Sequence, residues 1–164
     1  MQENKAILLS VNGQIVDDLK KMLELQGHHL TGALEESLKG VINDIENGCE
    51  LSASALEYIE TLETGIPAEQ INIAANLDAM TKYVQLRMGY QGKKAVQVAY
   101  LILRKQAQEG NPTESSKQFS QTGERTKVVT NTFLANQDKY GNMIDVAVSG
   151  LLDSEFNQIT SKTF

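Results

Sequence analysis

The N-terminal part of the chain carries one apolar stripe at helical spacing, and this pattern constrains the fold more than any other. The stripe is formed by residues three and four positions apart: Val11, Ile15, Leu19, Met22 and Leu23. Charged side chains lie between these residues, so one face of a helix would be apolar and the opposite face polar. We expect an amphipathic helix that begins near Ala6 and ends at Gly27.

A short β-hairpin is indicated after this helix. Apolar and polar residues alternate over residues 37–46 and 49–54, and Asn47-Gly48 lies between the two runs. Asn-Gly suits a tight hairpin turn because both central positions take positive φ angles. The alternation is imperfect, and a helical step also fits part of the first run. A further turn is predicted at Thr31-Gly32.

Helical spacing of apolar residues returns in four later segments. Three cover residues 55–64, 75–86 and 93–109, and the last becomes regular at Ile144. A glycine follows each of the first three within three residues, as expected where a helix ends. These elements predict an α+β fold: a helix-dominated single domain, residues 1–164, with a small antiparallel β-sheet packed against a long helix.

Residues 110–124 form the most loop-like segment of the chain. Glycine, proline, serine and threonine are crowded together in its sequence, GNPTESSKQFSQTGE. A connection of this length inside a compact domain is usually functional, or takes its structure from a partner. We therefore expect an extended loop that a partner orders.

Charge is distributed unevenly along the chain, whose formal net charge is −6. Residues 1–82 contain five basic and 14 acidic side chains, a net charge of −9, whereas residues 83–164 contain ten basic and seven acidic side chains, a net charge of +3. Chance variation among solvated faces would explain this difference. So would a polarised subunit whose acidic face meets the basic face of a neighbour. The negative total makes a nucleic-acid-wrapping surface unexpected.

The sequence lacks the motifs of the common catalytic and metal sites. It contains no phosphate-binding glycine-rich loop, no nucleophile elbow and no multi-cysteine metal cluster. The lone Cys49 is interpreted as a small core residue, and its pairing with His28 or His29 has no local support. A metal site at these two histidines would need ligands from elsewhere. We assign no catalytic, cofactor-binding or metal-ligating residue, and expect that the protein is not an enzyme.

Two charged clusters are candidates for surface roles. The acidic one, interpreted as a solvated face of a helix, consists of Glu57, Glu60 and Glu63. The basic one flanks a single helix and consists of Lys93, Lys94, Arg104 and Lys105. Solvated positions would explain the basic cluster, and so would a docking surface for an acidic partner.

The chain lacks the signatures of secretion and of membrane insertion. Its first residues have neither the basic start nor the long apolar run of a signal peptide. No segment approaches the roughly 18 to 20 apolar residues that cross a membrane. We expect a soluble protein, made in a reducing cytoplasm, that makes no membrane contact.

The order of several short motifs over residues 5–135 resembles one protein family. A hydrophobic-Thr-Gly-x-Leu-x-x-Ser turn lies at residues 30–37, a Tyr-x-x-x-x-Glu-x-Gly element at residues 58–65, and a Glu-Gly-x-Pro-Thr turn at residues 109–113. A strand pair, a loop containing Pro67 and an alanine-rich helix lie between them. This arrangement resembles the tail-completion, or head–tail connector (neck), proteins of tailed bacteriophages.

The resemblance implies a structural role in the virion without enzymatic activity. Such proteins form cyclic homo-oligomers beneath the portal, where they close the filled head or cap the tail tube. The implied partners are further copies of the chain and the neighbouring portal, adaptor or tail-tube proteins. DNA would pass through the lumen without specific binding. The implied location is the neck or tail of the virion, assembled in the cytoplasm of the host bacterium.

A second hypothesis comes from a different class of protein. The composition and the weak hairpin signal are also compatible with a small intracellular helical adaptor or regulatory protein that binds one protein partner through an amphipathic face. The oligomeric state separates the two hypotheses. A connector forms a high-order ring, or is a monomer that assembles only on a portal or tail, whereas an adaptor is a monomer or dimer without a ring.

Overall fold

The computed structural model describes residues 2–28, 32–46 and 48–162. Within these ranges lie six α-helices, two β-strands and two short 3-10 helices. In chain order the α-helices and strands are α1 (Gln2–Leu25), α2 (Ala33–Ser37), β1 (Lys39–Ile45), β2 (Gly48–Ser54), α3 (Ile59–Thr64), α4 (Ile73–Met88), α5 (Gly92–Glu109) and α6 (Val128–Lys162). The 3-10 helices are Ala68–Gln70 and Glu114–Phe119. This helix-dominated chain with one small antiparallel sheet confirms the predicted α+β class.

The main core lies between α1 and α6. The α1 stripe is buried at Val11, Ile15, Leu19 and Leu23, as its spacing predicted. Gln26 bonds to Thr126 and Asp18 to Lys139, so the two helices run antiparallel. From α6, Val128 and Tyr140 complete this core, together with Leu34 and Leu38 from the segment around α2.

The predicted hairpin is present and packs on α1. β1 and β2 pair antiparallel, with Ile42 opposite Leu51. Asn47 lies outside the described residues. β1 begins two residues later than predicted because Ser37 still belongs to α2, where its hydroxyl donates to the carbonyl oxygen of Leu34 at 2.7 Å. The sheet approaches α1 closely at Gly40, because a Cβ there would overlap the buried side chain of Asn12.

Gly32, the second residue of the predicted Thr31-Gly32 turn, directly precedes α2. Gly32 adopts φ 77° directly before that helix, a conformation that glycine takes at no steric cost. Thr31 lies outside the described residues.

The third helix is shorter than the sequence predicted. The prediction covered residues 55–64, but α3 begins only at Ile59. The backbone amide of Leu56 donates to the hydroxyl of Ser37 at 3.0 Å, so the chain leaving β2 is tied to the end of α2 and starts its helix later. α3 ends at Thr64, directly before Gly65, as expected.

Helices α4 and α5 form a second, smaller core, and residues 73–109 are called the α4–α5 hairpin below. Val84, Ala95 and Ala99 are fully buried between the two helices. The side chain of Asn72 accepts from the amide of Ala75 at 3.0 Å and caps the start of α4. Both helices confirm the predicted segments, residues 75–86 and 93–109.

Paired backbone hydrogen bonds join the entry and the exit of the α4–α5 hairpin. Ile66 and Asn111 exchange two bonds, of 2.7 and 2.8 Å. A side chain at Gly65 or Gly110 would lie 2.9 Å from a carbonyl oxygen across this bridge. Backbones can approach this closely only where Cβ atoms are missing.

The segment predicted as a loop, residues 110–124, contains a 3-10 helix and packs on its own chain. The amide of Gln121 donates to the carbonyl oxygen of Leu25 at 2.8 Å. Gly27, with φ 72°, ends α1 beneath this segment, and a Cβ there would lie 2.5 Å from the carbonyl oxygen of Phe119. The Phe119 side chain is exposed. Ordering of this segment by a partner stays a prediction.

Among the described residues, the helices lack the combination of length and apolarity that a membrane span requires.

Candidate assembly surfaces and the junction pocket

The residues considered for catalysis or metal binding are only partly described. His29 lies outside the described residues, and for Cys49 the structure describes the backbone, which pairs with Asp44 across the hairpin. The interpretations of Cys49 as a core residue or a nucleophile therefore stay predictions. In the described ranges, no group of three His, Cys, Asp or Glu side chains is placed to hold a metal ion.

The acidic cluster divides into two kinds of residue. Glu57 and Glu60 are exposed, as expected of a solvated face. The prediction is wrong for Glu63, whose carboxylate accepts from the amides of Val129 at 2.8 Å and Thr130 at 3.3 Å, and from the Thr130 hydroxyl. These amides begin α6 and have no partner inside the helix. Glu63 therefore caps α6 from a distant part of the chain.

The four predicted basic residues all lie exposed on α5. Lys94 lies 4.4 Å from the centre of the Tyr90 ring, and Lys105 pairs with Glu109 one turn away. The outward side of α5, opposite Ala95 and Ala99, also exposes large apolar and aromatic side chains. We define the basic α5 face by Lys93, Val96, Tyr100, Leu101 and Arg104.

The positive charge is concentrated in a shorter segment than the division of the sequence at residue 82 indicates. The α4–α5 hairpin, residues 73–109, carries six basic and two acidic side chains, a net charge of +4. Residues 1–72 carry four basic and 13 acidic side chains, a net charge of −9, and residues 110–164 have a net charge of −1. The basic excess thus belongs to one helical hairpin, and the acidic excess to the segment that forms α1, the sheet and α3.

An open concavity of about 640 Å³ lies at α3. We define the acidic α3 concavity by Leu56, Glu57, Tyr58 and Glu60, and its far side is formed by residues 64–66 with Gln70. Leu56 and Tyr58 are exposed despite their apolar character. The combination of an aromatic ring, an aliphatic side chain and two carboxylates complements the composition of the basic α5 face.

A third surface lies on the C-terminal half of α6. Four apolar side chains spaced four residues apart, called the α6 stripe, are between 38% and 67% exposed: Ile144, Val148, Leu152 and Phe156. The first and the last are twelve residue steps apart along the helix, so the stripe is roughly 18 Å long. Met143, Ala147 and Leu151 beside it are less exposed.

The accessible surface of the chain is large for its mass. It measures 11,006 Å², whereas a compact monomer of 18.1 kDa exposes about 8,100 Å². The excess reflects helices that one chain leaves partly uncovered, with the α6 stripe and the basic α5 face as examples. Large exposed apolar patches mark sites of interaction with other molecules.

A polar pocket of about 230 Å³, called the junction pocket, lies where several elements meet. It is lined by Gly27, His28, Gly32, Ala33, Leu34, Glu35, Tyr58, Tyr83, Arg87 and Arg125. The guanidinium of Arg125 donates to the carbonyl oxygen of Gly27 at 3.2 Å. His28 Nε2 lies 3.1 Å from the carbonyl oxygen of Arg125 and donates to it as the neutral Nε2–H tautomer. These bonds join the end of α1 to the chain entering α6.

Burial and nearby positive charge in this pocket lower the pKa values of His28 and Arg125. Burial, helped by the nearby Arg125 charge, lowers the pKa of His28 to about 4, so this imidazole is neutral at neutral pH. Burial also lowers the pKa of Arg125, although the side chain stays charged, and the neighbouring Arg87 acts in the same direction. Both guanidinium groups line the same pocket.

Sequence reasoning missed the junction pocket and the Glu63 cap. Arg125 follows His28 by 97 residues, and Val129 follows Glu63 by 66. Neither pair leaves a local spacing signal. The ordered Tyr58 to Gly65 motif does contain Glu63, but it carries no information about what the carboxylate binds.

Comparisons with models of protein families, with curated protein sequences and with solved structures find no match. The geometry of the chain and the motifs in its sequence therefore carry the functional argument.

Proposed function

We propose that this protein is a non-enzymatic structural subunit of a tailed-phage virion, a head–tail connector or tail-completion protein that forms a ring. The observation that carries the proposal is the pair of complementary exposed surfaces, the basic α5 face and the acidic α3 concavity. A ring built by head-to-tail contacts requires two different surfaces on every subunit, each matching the other.

Each surface has the composition of a protein interface. The basic α5 face combines Tyr100 and Arg104, two residue types that dominate binding energy in interfaces. In the acidic α3 concavity, Tyr58 and Leu56 supply apolar area beside the carboxylates of Glu57 and Glu60. Opposite charge at the contact steers the approach of two copies and disfavours wrong orientations.

The α6 stripe supplies a second contact in this proposal. Its apolar side chains leave water when a neighbouring copy covers them, which stabilises the contact by roughly 25 cal/mol per Å² of apolar area. In a closed ring this burial repeats at every subunit. The large accessible surface of the isolated chain supports a contact in which a neighbouring copy covers these apolar side chains.

The net charge of −6 is compatible with DNA passage. An acidic lumen repels phosphate and would let DNA slide rather than bind. The neighbours along the axis would be portal, adaptor or tail-tube proteins.

The alternative, an intracellular adaptor, needs only one docking surface. The α6 stripe alone would satisfy it, with a single protein partner covering the apolar side chains. The existence of two further, mutually complementary surfaces favours the ring, because an adaptor gives no reason for them.

Charge reversal at the two surfaces tests the proposal. We expect the wild-type chain, alone or with portal or virion material, to form rings visible by mass measurement and negative-stain electron microscopy. Arg104→Glu or Glu57→Lys should prevent ring formation, and the double variant should restore it in part because opposite charges face each other again. Lys21→Glu, an exposed reversal on α1, is the matched control.

Two results would contradict the proposal, the first in its ring and the second in its contact surfaces. One is a wild-type chain that stays monomeric or dimeric and ignores virions and portals. The other is a ring that survives both single reversals, which would leave the ring but remove these two surfaces from it.

A further inference from the structure

The junction pocket has an electrostatic property that the assembly of subunits does not explain. Among the residues that the structure describes, its lining contains two guanidinium groups, Arg87 and Arg125, and one carboxylate, Glu35. His28 adds no charge at neutral pH. The other ionisable groups described there, Tyr58 and Tyr83, carry hydroxyls, so the described part of the lining has a net charge of +1.

One of its donors is buried without an acceptor. The Nε of Arg125 is inaccessible to solvent and has no hydrogen-bond partner in the described part of the chain. Another N–H of the same guanidinium group donates to the carbonyl oxygen of Gly27. A buried donor without an acceptor is uncommon in folded proteins, because it loses its bond to water and gains nothing in return.

The remaining polar groups of the lining can also donate. Burial and the nearby Glu35 raise the pKa of Tyr58, so its hydroxyl keeps its proton at neutral pH. The Tyr83 hydroxyl lies in the same lining. Guanidinium forks and hydroxyls are the groups that proteins use to hold carboxylate and phosphate oxygens.

The size of the pocket limits its occupant. Its volume of about 230 Å³ falls below the roughly 300 to 1,000 Å³ of sites for drug-sized ligands. It accommodates one compact group with its hydration rather than a nucleotide or a cofactor.

We propose that the junction pocket binds one small oxyanion, a phosphate or a carboxylate, through the guanidinium groups of Arg87 and Arg125. The anion offsets the excess positive charge of the described lining, and the Nε of Arg125, which solvent does not reach, can bond to it only after the side chain turns. Because the pocket joins the end of α1, the end of α4 and the chain entering α6, its occupation ties the α4–α5 hairpin to the main core. This proposal is independent of ring formation.

Titration of the purified chain with inorganic phosphate tests the site, with acetate as the carboxylate probe and sodium chloride at matched ionic strength as the reference. Nuclear magnetic resonance reads the Nε–H signals of the arginines directly. We expect phosphate or acetate, but not chloride, to cause saturable shifts of the Arg87 and Arg125 signals. The anion that binds more tightly shows whether the pocket prefers a phosphate or a carboxylate.

Two pocket variants and one control complete the test. Arg125→Gln and Arg87→Gln should each weaken anion binding roughly tenfold or more, whereas Lys21→Gln, at an exposed position on α1, should leave it unchanged. Arg87 is exposed, so the Arg87→Gln variant still tests the site if Arg125→Gln fails to fold. The proposal is overturned if neither anion gives saturable shifts, or if Lys21→Gln weakens binding as much as the pocket variants do.

Discussion

The two halves of α6 differ in what they bury although they belong to one continuous helix. The first half starts at the Glu63 cap, buries Val128 and Tyr140, and is tied to α1 by Asp18. The second half exposes the α6 stripe. One helix can thus stabilise the monomer at one end and expose apolar side chains at the other. We infer that the first half serves folding and the second half assembly.

Truncation of an aromatic residue in each half gives the largest expected contrast. Tyr140 is 5% exposed and Phe156 is 67% exposed. Tyr140→Ala should lower the free energy of unfolding by about 3 to 5 kcal/mol, because it opens a cavity in the core. Phe156→Ala should change it by less than about 0.5 kcal/mol. Urea denaturation of the two variants measures this contrast.

Oligomer formation by the same two variants is a second measure of the difference between the halves of α6. Phe156→Ala should reduce the fraction of ring or oligomer at a fixed concentration, while its monomer unfolds as the wild type does. If Phe156→Ala instead unfolds the monomer as strongly as Tyr140→Ala, the division of α6 into two roles is wrong.

Acid should loosen the first half of α6 through His28. The folded-state pKa of about 4 lies below the usual 6.5, so the unfolded chain binds the proton more readily. The stability that depends on the neutral imidazole is fully present above about pH 6.5 and is lost as the pH falls toward about 4, at most about 3 kcal/mol. His28→Gln keeps a donor for the Arg125 carbonyl oxygen and should flatten this part of the pH profile. Thermal unfolding at several pH values measures both proteins, and equal slopes would contradict the prediction.

Removal of the cap at the start of α6 should have a smaller effect. Glu63→Ala removes the acceptor for the amides of Val129 and Thr130, and should lower the free energy of unfolding by about 1 to 2 kcal/mol. Glu60→Ala is the matched control, because its side chain is exposed, and should cost less than about 0.5 kcal/mol. Chemical denaturation monitored by circular dichroism compares the two. Equal losses would mean that the Glu63 bonds do not stabilise the fold.

The smallest effect is expected from the two glycines inside α6. A Cβ at Gly141 or at Gly150 would meet no atom within 4 Å. Alanine at either position should favour the helix by about 0.5 to 1 kcal/mol. Gly141→Ala, next to Tyr140, should raise the global unfolding free energy, whereas Gly150→Ala should mainly increase amide protection in the second half. Hydrogen exchange resolves the two, and a similar rise in global stability for both would show that the whole helix unfolds as one unit with the core.

Much of the fold could be predicted from local patterns. The stripe from Val11 to Leu23 has the period of a helix, and the helix and the burial of its stripe were predicted correctly, although α1 begins at Gln2, four residues before the expected start near Ala6. Asn47-Gly48 indicated the hairpin, because that dipeptide suits a two-residue turn. Errors occurred where distant residues decide the boundary. Ser37 bonds the amide of Leu56, which delays α3, and no periodicity reveals such a bond.

The candidate surfaces were less predictable than the fold. The positions Lys93, Lys94, Arg104 and Lys105 were identified as a cluster, and their exposure on α5 agrees with both interpretations of that cluster. The role of Glu63 was misassigned because carboxylates on a solvated face and carboxylates that cap another helix have the same sequence spacing. The α6 stripe has good helical periodicity, but periodicity does not say whether a face is covered by the same chain.

The sequence by itself determined the elements of this protein, since helical and strand periods, glycine stops and turn dipeptides act over a few residues. Only the tertiary structure decided which elements share a core, where the charge excess is exposed, and that His28, Arg87 and Arg125 line one pocket. The physical reason is that burial and electrostatics depend on distances through space. Residues separated by about a hundred positions in the chain become neighbours only when α1 and α6 pack together.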